Sequence, residues 1–301
     1  MAALISLLKA GGVMRAGDID AAVERALPYL EKEGTWWIEE KECVSCHHTS
    51  FFVWAKDLAR EAGHEVDVQI LNEQRNWMWQ ALLAPKVDNK TGEEDPKLVV
   101  GDANVEGLAQ ILLSPSRKHL SAETVESFIE IISSNRQDDG NWKPGGQLPR
   151  QERPGKETQW ISNQWIEAAM LSVESTVSDG KTGNDKAETN EWYAMNVLLD
   201  PDKASVSALL ERQNDDGGWS WIDGENSSPT GTGQALFALA RAGELEAHPD
   251  AVAKGRKYLL ESQAEDGHWK TFSTKDRAES GRVSNFWGTS WAVIGLLESD
   301  R

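Results

Sequence analysis

The sequence predicts an all-α fold, a single (α/α)6-type toroid in which helix pairs alternate between an outer and an inner ring. Three observations carry that expectation. First, the segment Leu209–Trp219 matches Leu259–Trp269, and Ser134–Trp142 is a third copy. The shared pattern is Q-x-x-D-G-x-W after an amphipathic helix, with Arg136 standing where the other copies have Gln213 and Gln263. Internal repeats of this kind indicate stacked units that cannot bury their apolar faces alone. Second, tryptophan usage is inverted, with 14 Trp against 6 Phe and 3 Tyr. Third, no alternating strand pattern of any length occurs along the chain.

Each repeat reads physically as helix–turn–helix. Val252, Tyr258, Leu259 and Leu260 give the helix before the turn its apolar periodicity. Asp-Gly stops that helix, since glycine enters positive φ without steric cost. The Gln amide can satisfy backbone groups left open at a helix end, and the indole can cover the turn. Six pairs follow in order: 19–30 with 51–60, 66–82 with 104–113, 122–133 with 158–172, an ill-defined partner with 191–199, 202–213 with 233–242, and 251–263 with 285–297. A degenerate first copy of the turn is read at Leu30, Gly34 and Trp36. The fourth outer helix has no clear pattern, and 178–188 reads as loop. The second helix of each pair is richer in Ala, Gly and Trp, as an inner ring would be.

The chain of 301 residues is read as one domain, 1–301, with 1–16 as an N-terminal extension and 41–48 as a distinct turn. A core of this size buries about 75% of the unfolded surface and needs no staples. Apolar content is 39% and charged content 27%, ordinary for a globular protein. The net charge of −18 repels nucleic acid and anionic membrane and favours basic partners. No apolar run approaches the roughly 20 residues that span a bilayer. Ala2–Leu8 lacks a basic n-region and is interrupted by Lys9, so it reads as an amphipathic N-terminus before it reads as a signal peptide.

The only two cysteines fall in Cys43-Val44-Ser45-Cys46-His47, the C-x-x-C-H spacing of covalent haem c attachment. Thiols three apart share one side of a helical turn and can both reach the porphyrin vinyl groups, with His47 next to present its imidazole to the iron. Two alternatives stand beside haem. Cys43, Cys46 and His47 or His48 can hold zinc with a fourth ligand from elsewhere, and the cysteines can form a redox disulfide or stay thiols. For the distal side of a haem, His268 in the last repeat turn or Met78 in the second outer helix is expected on the same rim. His64, His119 and His248 are expected on the opposite one.

These repeats resemble the QW motifs of squalene and terpenoid cyclases and the related prenyltransferase-repeat proteins. The stretches Gly233–Gly243 and Phe286–Leu297 resemble that superfamily too, and the likeness covers essentially the whole chain. More narrowly, the chain is similar to bacterial single-toroid members with an N-terminal C-x-x-C-H, here beginning at Trp36. The resemblance implies the toroid. Cyclase chemistry fits less well, because the D-x-D-D acid of class II cyclases, their two-domain build and the prenyltransferase zinc triad have no match. Asp138-Asp139 and Asp215-Asp216 sit inside repeat turns as turn formers.

Phe51, Phe52, Trp54, Trp160, Trp165, Trp287 and Trp291 lie on inner helices, where they can line an apolar or cation-binding cavity or simply pack the core. Three functions follow. The first is a haem c redox or electron-transfer protein with a redox partner protein, periplasmic or exported if haem is attached and otherwise cytoplasmic. The second is a toroid-cavity enzyme of terpenoid-cyclase or polysaccharide-lyase type, with a small apolar ligand in the centre. The third is a non-catalytic scaffold whose cysteines are structural.

Overall fold

A computed structural model describes residues 17–44, 49–87, 90–146, 148–175, 183, 186–277 and 279–301. Among these, eleven α-helices account for most of the chain: α1 (Asp18–Lys41), α2 (Thr49–Glu61), α3 (Val68–Leu83), α4 (Val105–Leu113), α5 (Ala122–Ser134), α6 (Gly155–Ser172), α7 (Asn190–Leu199), α8 (Lys203–Leu210), α9 (Pro229–Arg241), α10 (Pro249–Ser262) and α11 (Arg282–Ser299). The inner ring is α2, α4, α6, α7, α9 and α11, each packed on the next, and α11 returns to pack on α2. That closes the toroid. The outer helices α1, α3, α5, α8 and α10 lie against it with mostly one face buried, whereas nearly every residue of α2, α9 and α11 is buried. None of the helices is long and apolar enough to cross a membrane.

The repeat turns explain their own sequence. The indole Nε1 of Trp142, Trp219 and Trp269 donates to the carbonyl of Ile132, Leu209 and Leu259 in the preceding outer helix, at 2.7 to 2.8 Å. The backbone N–H of the same Trp donates to a side chain of the following inner helix: Asn163, Thr232 and Thr289 respectively. One buried residue thus ties both helices of its pair. The Gln does a different job. Gln213 Nε2 donates to its own turn at Gly217 and to Ala251 O of the next outer helix, and Gln263 Nε2 donates to Gly267 O and to Ala22 O of α1. The last bond fastens the sixth pair to the first. Asp139, Asp216 and Asp266 each accept the N–H two residues on, which shapes the turn. Gly140, Gly217 and Gly267 then take φ of +86° to +88°.

Two readings of the sequence are corrected. The degenerate first turn at Leu30, Gly34 and Trp36 does not exist, because α1 runs unbroken to Lys41. Gly34 has a packing role instead: a Cβ there would press into the Phe52 ring of α2. The second is a small antiparallel hairpin, β1 (Pro85–Val87) with β2 (Glu94–Val99), between α3 and α4. Its strands are short and carry Lys86, Glu94, Asp95 and Lys97, too brief and too charged to show a strand period. Between α6 and α7 the described residues hold no outer helix, and most of 178–188 lies outside them.

Candidate functional site

The axis of the ring is built first by aromatic side chains. Phe51 and Trp54 of α2, Trp165 of α6, Phe237 of α9 and Trp291 of α11 are all buried. Phe51 lies 4.7 Å from Trp291 and 5.8 Å from Trp165, centroid to centroid, and Trp54 lies 5.3 Å from Phe237. At their level the interior is filled by side chains, which is the core-packing role open to them in the sequence.

Among the described residues, the outer-to-inner connections meet at one end of the ring, here called the mouth. The connections are knitted to one another. Asn104 Nδ2 donates to Val44 O, and Gly146 N to Ala103 O. Asn190 N donates to Trp221 O and Asp223 N to Glu188 O. Across the ring, Glu152 N donates to Thr274 O at 2.7 Å. Arg277 pairs with Glu225 at 2.5 Å and with Glu152 at 3.6 Å, so the third, fifth and sixth connections meet at one guanidinium.

Two buried carboxylates fix these connections from below. Glu106 accepts from Gly145 N at 3.0 Å and from Ser162 Oγ at 2.5 Å. Burial raises its carboxyl above the usual range, against the lowering effect of those donors. Glu157 accepts from Glu188 N, Thr189 N and Thr189 Oγ1 at 2.6 to 3.0 Å.

Between the fifth and sixth connections lies a pocket of about 320 Å³, walled by Trp221, Glu225, Ser228, Thr230, Phe272 and Arg277 among others. Arg153 sits beside its floor, 5.2 Å from the Trp221 ring, with a side chain that has no exposed surface. Its Nη2 donates to Gln151 and, at 2.8 Å, to Glu191, whose other oxygen accepts from Trp165 Nε1 at 2.9 Å. A second mouth pocket of about 400 Å³ lies on the other side of the sixth connection, lined by Lys275, Asp276, Arg282, Val283 and Trp287. The sequence did not single out Arg153, Glu191, Trp221 or Thr230. A lone Arg before Pro154 and a second Trp after Trp219 belong to no repeat position, and that departure was the available signal.

Of the cysteine motif, Cys43 is described and is an exposed free thiol. Its carbonyl accepts from Trp37 Nε1 at 2.7 Å. Desolvation raises its pKa, tempered by Arg150 and Lys275 from the third and sixth connections. Cys46, His47 and His48 lie outside the described residues. No group of three or more His, Cys, Asp or Glu that could hold a metal ion occurs among the described residues. His268 stacks on Tyr29 of α1 at 5.2 Å, and its Nδ1 lies 2.5 Å from Asp266 Oδ1. The sixth pair is therefore the first pair's neighbour, and Tyr29 is twelve residues, about 18 Å of helix, short of Lys41. Met78 is buried in the core. His64, at the far end of α2, faces Asp20 at 3.5 Å at the start of α1, on the rim opposite Cys43. His119 ends the short helix after α4, and His248 precedes α10, where it pairs with Glu244 at 3.3 Å.

Fold and mouth together define an α/α-toroid protein. No protein-family model matches the chain. A stretch of 63 residues, 21% of the chain, is 39% identical to drimenyl diphosphate synthase from Streptantibioticus cattleyicolor, and the match spans 11% of that protein's length. The apo type II terpene cyclase MstE from Scytonema superposes with a TM-score of 0.57 at 14% identity, covering 94% of this chain and 98% of that one. A glycosidase variant solved in complex with glucose gives 0.58 at 12% identity, covering 96% and 99%. At these identities the likeness establishes the fold.

Proposed function

We propose that the chain is an enzyme of the α/α-toroid class that takes a carbohydrate-type substrate in the pocket at its mouth. One observation carries this reading. The pocket is lined by the aromatic Trp221 and Phe272 beside the hydroxyl residues Ser227, Ser228, Thr230 and Thr271, above an axis packed with aromatic rings. Sugars are held by such a mixture, rings against their C–H faces and polar groups on their hydroxyls. Glu225 in the pocket wall, with Glu152 on the other side of Arg277, supplies carboxylates for general acid–base work. The glycosidase that shares the fold supports this reading, whereas the cyclase alternative lacks its D-x-D-D acid in this sequence. Incubation of the full chain with a panel of aryl glycosides is expected to release the aglycone, and Glu225→Gln to abolish release. Turnover of an isoprenoid diphosphate with no glycoside cleaved would overturn it.

A second reading is a haem c protein, favoured by the placement of Cys43. Its thiol is exposed at the mouth with Arg150 and Lys275 close by, where cations suit the propionates of a haem held by Cys43, Cys46 and His47. Bound there, haem would supply one-electron chemistry. A Soret band and a positive pyridine haemochrome assay on protein matured in an oxidising compartment are expected, both lost in Cys43→Ala with Cys46→Ala. A mass equal to the bare chain after such maturation would sink this reading.

A further inference from the structure

We propose that the buried polar groups behind the mouth pocket form a subsite for the carboxylate of a sugar acid, with Arg153 as its reader; this rests on the carbohydrate reading above. The observation is a set of buried polar atoms without partners that converges on one place. Arg153 Nε and Nη1 have no acceptor, although the side chain is wholly buried. The Trp221 indole Nε1 and the Thr230 hydroxyl, both from residues that wall the pocket, are likewise unpartnered. So are Asn190 Oδ1 and both amide atoms of Gln234, one helical turn beyond Thr230 on α9.

Arg153, Trp221, Asn190 and the backbone beside Thr230 are linked by contacts, and Gln234 follows on the same helix. Arg153 lies over Trp221, Asn190 N donates to Trp221 O, and Asn190 Nδ2 donates to Gly231 O beside Thr230. A buried donor left unmade costs its full desolvation, more if charged, so a folded protein rarely tolerates several at one spot without a partner for them. The imbalance points to the partner's chemistry. Arg153 and Trp221 offer only donors, Thr230 and Gln234 offer both, and a lone acceptor remains at Asn190. Glu191 balances the guanidinium charge in the resting protein through one nitrogen, leaving the other two for incoming oxygens. A carboxylate fills the donors, and a neighbouring hydroxyl satisfies Asn190.

The test is calorimetric titration of the full chain with D-glucuronate, D-glucose and L-lactate, the last a carboxylate without a sugar ring. Glucuronate is expected to bind at least about tenfold tighter than glucose, the worth of one or two charge-assisted hydrogen bonds. Arg153→Gln should erase that preference. Because Arg153→Gln can unsettle Glu191, Thr230→Val is the second variant. Removing an unpartnered hydroxyl should leave the melting temperature unchanged or higher while weakening glucuronate several-fold. Equal binding of glucuronate and glucose overturns the carboxylate subsite and leaves the sugar reading standing. Lactate binding that needs Arg153, with neither sugar bound, sinks the sugar reading and keeps the anion site. Binding of none of the three overturns both, whereas a Thr230→Val protein that melts lower yet binds glucuronate unchanged overturns the subsite as drawn and leaves the sugar reading standing.

Discussion

The repeat tryptophan shows how one residue holds a pair of helices. Trp219 is fully buried, its indole bonded to Leu209 O and its backbone N–H to Thr232 Oγ1. Trp219→Ala removes a large core volume and leaves the Leu209 carbonyl with the longer backbone bond from Arg212 N. The expected cost is about 3–5 kcal/mol, read from urea denaturation midpoints, and a loss below about 1 kcal/mol would contradict the role. Glu106 offers a second residue-scale prediction. Burial holds its carboxyl above the usual carboxylate range, so the folded chain binds that proton more tightly than the unfolded chain does. Its contribution is therefore complete below the unfolded value, near about pH 4.3, and is lost as pH rises through the folded value. Against Glu106→Gln, which cannot titrate, the unsubstituted protein should lose relative stability from about pH 4 upward. Parallel stability–pH curves for the two would rule this out.

At the scale of the element, the turn glycines can be ranked. All three have positive φ, which costs any side chain about 1–3 kcal/mol. They differ in what lies above them. A Cβ on Gly267 would collide with the Arg25 carbonyl of α1 and one on Gly217 with the Lys254 carbonyl of α10, while one on Gly140 meets only the flexible Arg136 side chain. Thermal melts should thus rank the destabilisation Gly267→Ala, then Gly217→Ala, then Gly140→Ala, with about 1–3 kcal/mol of overpacking separating the first two from the last. The same contacts explain what the sequence made legible. The turns and the helices they join were readable because Gln213, Gln263 and the tryptophans recur at fixed offsets. Arg136 departs from the pattern and serves its own turn, its Nε donating to Gly140 O and its guanidinium lying over the Trp142 ring. The first turn was misread because Gly34 serves packing against Phe52, and a glycine's spacing does not reveal which role it has. The mouth was less legible. Arg153, Glu191 and Thr230 come from three successive pairs at unrelated offsets, and the packing of α6 on α7 and of α7 on α9 makes them neighbours.

For the whole molecule, closure changes how stability is shared. An open array of helix pairs is quasi-one-dimensional, and its terminal units fray while the middle stays folded. Here α11 packs on α2, α10 and α1 touch, and Gln263 bonds Ala22 O across the seam as Gln213 bonds Ala251 O within the ring. The two glutamines make matching Nε2 bonds, and Gln263 adds an acceptor for Arg25 of α1, so if the ring is a single cooperative unit the seam glutamine should cost the whole molecule at least as much as the internal one. Gln213→Ala removes two hydrogen bonds, worth together about 1–3 kcal/mol, and Gln263→Ala removes the same pair plus the two that Arg25 Nε and Nη2 of α1 donate to its Oε1. Both variants should unfold in a single transition with an unchanged m-value, the urea midpoint falling further for Gln263→Ala. If the seam were a mere apposition of chain ends, Gln263→Ala would instead free the first pair alone. Amide exchange would then quicken in α1 and α2 while α6 and α9 kept their protection, and the global midpoint would hold. Equal protection losses around all six inner helices are the expected result, because no pair can leave a closed ring without uncovering the aromatic axis that the others share.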